Sequence, residues 1–501
     1  MQPVFQAVLR SWSIPPAATF AIALSALIYL RGWWLLRRAG SPNLPPWRAI
    51  TFLSGLLSLW VALASPMDVL NGFVLTAHML QHMVLMMVAP PLILLGAPLV
   101  PMVRGLPIFA AREFAGPFLN WPVAKRVGSA LTHPVFALLL MGLAMFAWHT
   151  PAPYELALRS PAWHQVEHAC FFLTSLIFWW PVVQPWPSKG QWPRWAMVPY
   201  LLIADLQNTA LSAVLVFSDR VLYPSYSATP RLFGFTALED QVAAGAIMWV
   251  VGSLAFVVPA IVIAVECLSR KPAREAMTPV RRREAPALDV LPPIPKQIPL
   301  LSRLLKTRWR GEGMEAASFV VFFAVAGLCF AGLLNAGSDD DDNQALRFKD
   351  TSGPFAVAVL APPGDLAAGS SAFSVLVQDP STHEVLLDTD VDLIAQPAPG
   401  DQGPPSTARA SHDDSQNKLL QTAKLDLPAT GDWMVKVVLR RNSEGASFPL
   451  PLLRVVKADT GFNVPWGYLF VLLVASILVF SYTRRHWLRS SGSIEHAPIM
   501  E

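Results

Sequence analysis

Apolar residues come in long blocks along the first half of this chain. The runs near 17–36, 49–65, 74–98, 133–149, 164–184, 195–217 and 241–267 are almost free of charge. Each is long enough to cross a hydrocarbon layer of roughly 30 Å as an α-helix. Two more blocks, near 315–336 and 465–483, bracket a segment of another kind. There the pattern switches to a period of two, as in Phe355-Ala-Val357-Ala-Val359 and Phe373-Ser-Val375-Leu-Val377. Further runs centre on Val385–Leu387 and on Trp433-Met-Val435-Lys-Val437-Val438, with Pro and Gly clusters at 362–364 and 397–405 between them. Strand-length runs separated by turn residues predict a β-sandwich. The expected fold is a polytopic α-helical membrane protein with about nine transmembrane helices and one extracytoplasmic all-β sandwich domain.

The same pattern sets the expected boundaries. Residues 1–269 form a seven-helix membrane domain, and 270–313 a basic, proline-rich cytoplasmic linker. A transmembrane helix at 314–336 leads into the sandwich at 337–463, and a last helix at 464–484 precedes a tail at 485–501. Basic residues orient the helices, because loops rich in Lys and Arg stay on the cytoplasmic side. Arg37, Arg38 and Arg48 occupy the first loop; Arg104, Arg112, Lys125 and Arg126 the third; Lys189 and Arg194 the fifth; and the 270–310 stretch is richest of all. That alternation predicts an outside N-terminus and a cytoplasmic C-terminus.

Composition agrees: 53% of residues are hydrophobic, 14% are charged, and mean hydropathy is +0.42. The net charge of +4 is not a nucleic-acid signature, because the basic residues lie between apolar spans instead of on one soluble face, so no nucleic-acid partner is expected. Cys170, Cys267 and Cys329 form no paired motif, which argues against cysteine-based copper exchange and covalent haem attachment. The first apolar block lacks a basic leader and a small-residue cleavage site, and is read as a retained helix.

The chemistry lies in the histidines. His78 and His82 are four apart and so share one helix face; Met79 and Met83 follow the same rhythm. His164 and His168 repeat the spacing in another block, and His149 closes the one between. On the predicted orientation His78, His149, His164 and His168 fall at the outer ends of three helices, with His82 one turn deeper. Polar groups at such depth are costly without a purpose, and imidazole with thioether suits copper. His164-Gln-Val-Glu167-His168 also matches the inverted zinc-protease pattern, in which the glutamate activates water. Equally, Glu167 is a carboxylate placed to orient an imidazole, or the histidines are interfacial residues bonded to neighbours.

Three acidic positions carry a similar ambiguity. Asp205, with Asn208 one turn on, lies deep in the sixth block and is either functional or bonded across helices. Asp240, beside Glu239, favours a helix N-terminus or accepts from a ligating histidine. Asp68 is a weaker candidate for the same role. His383 and His412 are single loop histidines with no metal-site spacing, and Asp339–Asp342 lacks the spacing of a calcium loop.

Several segments in fixed order carry a family resemblance. They are His78-Met-Leu-Gln81-His82, Ala89-Pro90-Pro91 through Gly96-Ala97-Pro98, His133-Pro134, Trp148-His149-Thr150-Pro151 with Tyr154, His164–His168 through Phe178-Trp179-Trp180-Pro181, and Glu239-Asp240-Gln241 with Gly245 and Met248-Trp249. Together they make residues 15–268 similar to the CtaG-type cytochrome c oxidase assembly factors, a polytopic membrane family. The β segment resembles, through its order of strands and the Gly431-Asp432-Trp433 strand start, the FixH or YtkA type of extracytoplasmic domain. The resemblance implies an assembly factor and not an enzyme, with oxidase subunits, the lipid bilayer and a periplasmic copper chaperone as partners. It implies copper, as the cuprous ion, at His78, His82, His149, His164 and His168, with Met79 and Met83 assisting. Glu167 and Asp240 would then support the ligands. A b-type haem or quinone redox protein, and a copper transporter using Asp205, are the alternatives.

Overall fold

The computed structural model describes residues 2–108, 111–112, 121–188, 190–269 and 344–457. The expected linker, the helices at 314–336 and 464–484, the tail, Cys329 and the Asp339–Asp342 run lie outside the described residues.

Among these residues, six helices are long and apolar enough to span a membrane, and a bent pair supplies a seventh span. After the short α1 (Gln2–Arg10) come α2 (Pro16–Arg38), α3 (Pro46–Ala64) and the short α4 (Pro66–Leu70). The third span, α5, runs Leu75–Leu95, followed by α6 (Leu99–Gly105). The bent span joins α7 (Pro122–Leu131) to α8 (Pro134–His149) at 68°. Pro134 follows the loop residue His133, whose backbone is extended, as a residue before proline prefers. Then follow α9 (Pro151–Arg159), α10 (Pro161–Val183), α11 (Met197–Phe217), α12 (Pro224–Ala228) and α13 (Ala237–Ser269). Each of the seven apolar blocks of the first half is therefore helical among the described residues. A Pro at the first or second position starts most of them, where its missing N–H costs nothing.

Helix α5 is irregular where its sequence requires it. Pro90 has no N–H for the carbonyl of Met86, and the backbone relaxes to a π-helical stretch at Val84–Val88. The freed Met86 carbonyl instead accepts a 3.0 Å bond from the indole of Trp179 on α10. In a lipid-surrounded helix such a carbonyl needs a protein partner. The Pro-Pro pair thus anchors α10 against the helix that carries His78 and His82.

Residues 344–457 form a two-sheet β domain, β1 (Ala345–Ser352) to β10 (Leu453–Val456). Between them lie β2 (Phe355–Ala361), β3 (Leu366–Ala367), β4 (Gly369–Gln378), β5 (Asp390–Pro397), β6 (Ser406–Arg409), β7 (Gln421–Leu427), β8 (Gly431–Arg441) and β9 (Glu444–Pro449). One sheet has the order β1-β2-β4-β7; the other runs β3-β10-β8-β5-β6, with β9 also paired to β8. β8 (Gly431–Arg441) alternates buried and exposed residues around a fully buried Trp433, as one-sided burial demands. In contrast, β2 (Phe355–Ala361) and β4 (Gly369–Gln378) are buried on both faces. Their inner residues fill the sandwich. Their outer residues, Leu360 and Leu376 among them, join Val4, Leu70 and Leu232 in a second apolar cluster. The sandwich is thereby docked on the end of the helix bundle that holds His78, with Phe73 and Ala77 packed at the same contact.

One expectation fails within the sandwich. The Val385–Leu387 run is not a strand; only a bridge links Val385 to Gln378. The strand is β5 (Asp390–Pro397), whose charged and polar outer residues Asp390, Asp392 and Gln396 weaken the hydrophobic signal in sequence. Val385 is buried for another reason, as part of the contact with the helices.

Candidate metal centre

Four of the five histidines singled out by spacing converge. His78 Nε2 lies 2.9 Å from His82 Nε2. The His168 ring stands 5.4 Å from that of His82, and the His164 ring 5.2 Å from that of His78. One triad, His78, His82 and His168, and a second, His78, His164 and Glu167, each bring their ligand atoms within 4.8 Å of one another. Glu167 faces both: its carboxylate oxygens lie 3.7 Å from His78 Nε2 and 3.9 Å from His82 Nε2. His78, His82, Glu167 and His168 are all buried.

Most of these donors have no other use. His82 Nδ1, His164 Nε2, His168 Nε2 and both Glu167 oxygens are buried without a hydrogen-bond partner. Leaving one such atom unpaired costs on the order of 1–3 kcal/mol, and an uncompensated carboxylate costs more. A cation held among these donors would relieve that cost. The donor set, imidazoles with one carboxylate, fits a transition-metal ion.

His149 sits beside this group and completes neither triad. Its Nδ1 is 2.8 Å from the Met145 carbonyl, so Nδ1–H is the donor, and its Nε2 is buried and unpaired. Met79 and Met83 are buried too. At about 100° per residue they point to the neighbouring face of α5, not along the histidine face.

The acidic positions resolve differently. Asp240 accepts from the backbone amides of Leu75 and Thr76 at 2.7 and 3.1 Å, capping α5 from another helix. It bonds the helix that carries the histidines, where a bond to an imidazole was one expectation. Glu239 forms a capping box with Thr236 on its own helix. Asp68 accepts from Gln81 at 2.7 Å and from Ser13 at 2.9 Å. Asp205 accepts a 2.7 Å bond from Ser253, and Asn208 donates to the Met248 carbonyl at 3.2 Å, so both join α11 to α13 away from the histidines. His133 packs against Trp192. His412 holds two backbone carbonyls within the sandwich.

Residues 27–270 match the family model of the cytochrome c oxidase caa3 assembly factor, Caa3_CtaG. This helical region belongs to that family. Among curated proteins, it is similar to uncharacterized proteins of Mycobacterium bovis and Mycobacterium tuberculosis, each 25% identical over 260 residues. That alignment covers 49% of this chain and 38% of either relative. An uncharacterized protein of Mycobacterium leprae is 25% identical over 225 residues, 44% of this chain and 34% of the relative. The chain spans little more than a third of the length of these relatives. No solved structure matches it significantly.

A tyrosine cluster in the Caa3_CtaG domain escaped the sequence reading. Tyr226 and Tyr154 each place a hydroxyl 3.1 Å from His78 Nδ1, and Tyr226 donates to the Asn71 carbonyl at 2.7 Å. Tyr223 stacks on Tyr154 and donates to the His149 carbonyl at 3.0 Å. Burial pushes the Tyr154 and Tyr226 hydroxyls well above the usual phenol range, so both remain neutral donors or acceptors. Tyr223-x-x-Tyr226, in a chain with only seven tyrosines, was the available signal.

Proposed function

We propose that this protein is an assembly factor for a respiratory cytochrome c oxidase that takes up copper on the His78, His82, His164, His168 and Glu167 cluster and delivers it to the enzyme. What supports the reading is the set of five orphaned, buried donor atoms inside a domain of an oxidase assembly family. One carboxylate among neutral imidazoles balances a single positive charge, so a cuprous ion leaves the buried cluster neutral. Met79 and Met83, on the next face of the same helix, serve transfer better than resting coordination. His149, with its own unpaired Nε2, is a further donor.

The distribution of basic loop residues supports a location outside the cytoplasm for this end of the bundle. The β domain, docked there, is then a contact surface for oxidase subunits or a periplasmic copper donor. The protein acts by holding and releasing an ion, and no bond-making step is assigned to it.

Metal analysis and absorption spectra of the detergent-purified chain test this, alongside a His78→Ala/His82→Ala variant. About one copper per chain, lost in the variant, is expected, together with impaired oxidase maturation in cells. A haem band would replace this reading with a redox protein. Absence of copper after anaerobic loading with cuprous ion would overturn it.

A further inference from the structure

We propose that Tyr226 is a positioning residue for metal binding: its hydroxyl holds the ring proton of His78 on Nδ1 and so keeps the Nε2 lone pair free for the ion. The proposal rests on the metal-site reading above and names a residue that determines whether His78 can ligate at all.

The argument follows single protons. A tyrosine hydroxyl has one hydrogen, and that of Tyr226 goes to the Asn71 carbonyl, which can only accept, at 2.7 Å. Toward every other neighbour the Tyr226 oxygen is an acceptor. His78 Nδ1, 3.1 Å away, is attracted to it only when it carries the proton. With Nδ1 protonated, Tyr154 accepts a share of the same N–H at 3.1 Å and donates its own hydrogen to Tyr226 at 3.3 Å. All four contacts are then attractive.

The other tautomer fails this test. If Tyr154 donated to an unprotonated Nδ1, two lone pairs would face each other between Tyr226 and His78, and none of these protons would lie between the two hydroxyls. The site is buried, so water does not relieve such a clash. The Nδ1–H form therefore prevails, and His78 presents a bare Nε2 to His82, His168 and Glu167. There it accepts from His82 Nε2–H or coordinates an ion. An imidazole whose second nitrogen has a fixed partner is the usual condition of a good ligand. Asn71 belongs to the turn between α4 and α5, so the backbone that starts the histidine helix also sets the role of Tyr226.

Two substitutions of equal size separate positioning from packing. Tyr226→Phe removes the acceptor and is expected to weaken cuprous-ion affinity about 10- to 100-fold, measured by competition with a chromogenic chelator. Tyr154→Phe removes only a share of the same N–H, together with the one donor able to serve the wrong tautomer, and is expected to weaken affinity clearly less than Tyr226→Phe does. In a His78→Ala background, Tyr226→Phe should add nothing. Nitrogen-15 spectra of the metal-free ring supply a readout independent of copper: His78 is expected as Nδ1–H in the parent and as Nε2–H in Tyr226→Phe. Equal weakening by both Phe variants, a loss that persists without His78, or an Nε2–H ring in the parent would overturn the proposal. If the parent binds no copper but shows the Nδ1–H ring, the metal reading falls and the tautomer assignment stands.

Discussion

The carboxylate of Asp240 bonds the backbone amide of Leu75 at 2.7 Å across 165 positions of sequence. Helix α5 has no cap of its own, because Val74 precedes it and offers no side-chain acceptor. Its first amides would otherwise be left unpaired next to His78. Asp240 takes two of them and the Thr76 hydroxyl, and so fixes where α5 begins relative to α13. Asp240→Ala is expected to destabilise the protein by roughly 1–2 kcal/mol and to weaken copper retention, with Asp240→Asn milder on both counts. Thermal unfolding in detergent and metal content are the measurements. Copper affinity unchanged in Asp240→Ala would show that α5 does not depend on this cap for its register.

A second relationship holds the first span. A Cβ on Gly32 would come within 1.8 Å of the Pro101 carbonyl oxygen, and one on Gly105 within 1.8 Å of that of Ile28. Helices α2 and α6 therefore meet backbone to backbone, the close approach that small residues allow in membranes. Arg31 donates to the Gly105 carbonyl at 2.6 Å in the same contact. Gly32→Ala is expected to cost about 1–3 kcal/mol by overpacking. Gly72→Ala, where nothing lies within 4 Å of the new methyl, should be close to neutral. Comparing detergent melting temperatures of the two variants checks the direction.

Helices were legible here because lipid enforces a long unbroken apolar run, a signal that survives local irregularity such as the π stretch of α5. The strands were partly legible. Alternation of large with small or polar residues made β2, β4 and the strand of Trp433 readable. Residues 390–397 were not, because their wet face is strongly polar. Spacing singled out the histidines, since positions four apart on two helices share faces whatever the fold. Tyr226 and Asn71 were illegible because they act on His78 through tertiary contacts, Tyr226 from 148 positions away and Asn71 through the Tyr226 hydroxyl. Asp240 was seen as a capping residue, but nothing local says that it caps α5 instead of α13.

Acid sensitivity has a defined origin in one turn of the sandwich. The Asp379 carboxylate accepts from the Ser381 hydroxyl at 2.5 Å and from the amides of Ser381 and Thr382 at 2.8 and 2.9 Å. These bonds, that of the Ser381 hydroxyl foremost, lower its pKa from 3.8 to about 2. A depressed carboxylate stabilises the fold above its unfolded value and loses that contribution as pH falls toward the folded one. The 379–384 turn is thus expected to open between about pH 4 and pH 2, seen as faster amide exchange at Thr382. In Asp379→Asn that exchange should already be fast at pH 5 and change little over the same window. Parallel pH profiles in the two proteins would contradict the assignment.

The docked sandwich makes the sharpest demand. Gln378 donates to the Arg231 carbonyl at 2.7 Å, in the loop that leads to Asp240, and Lys418 N–H donates to Ser11 at 2.9 Å. Leu360, Leu376 and Leu420 press on Leu70, next to Asn71, and on Leu232. The domain therefore braces both loops that fix α5, one through Asp240 and one through Tyr226. Leu376 is fully buried on the outer face of its sheet, so Leu376→Asp puts a charge into this contact and leaves the inner core, with Trp433, intact. Expected are faster amide exchange at 358–360 and 229–236, unchanged exchange around Trp433, and weaker copper retention. Ser352→Asp, on the exposed end of β1, serves as the control. Loss of protection around Trp433 would mean that the sandwich itself had unfolded. Full protection at 229–236 in Leu376→Asp would mean that the helical domain holds its loops, and its copper, without help from the β domain.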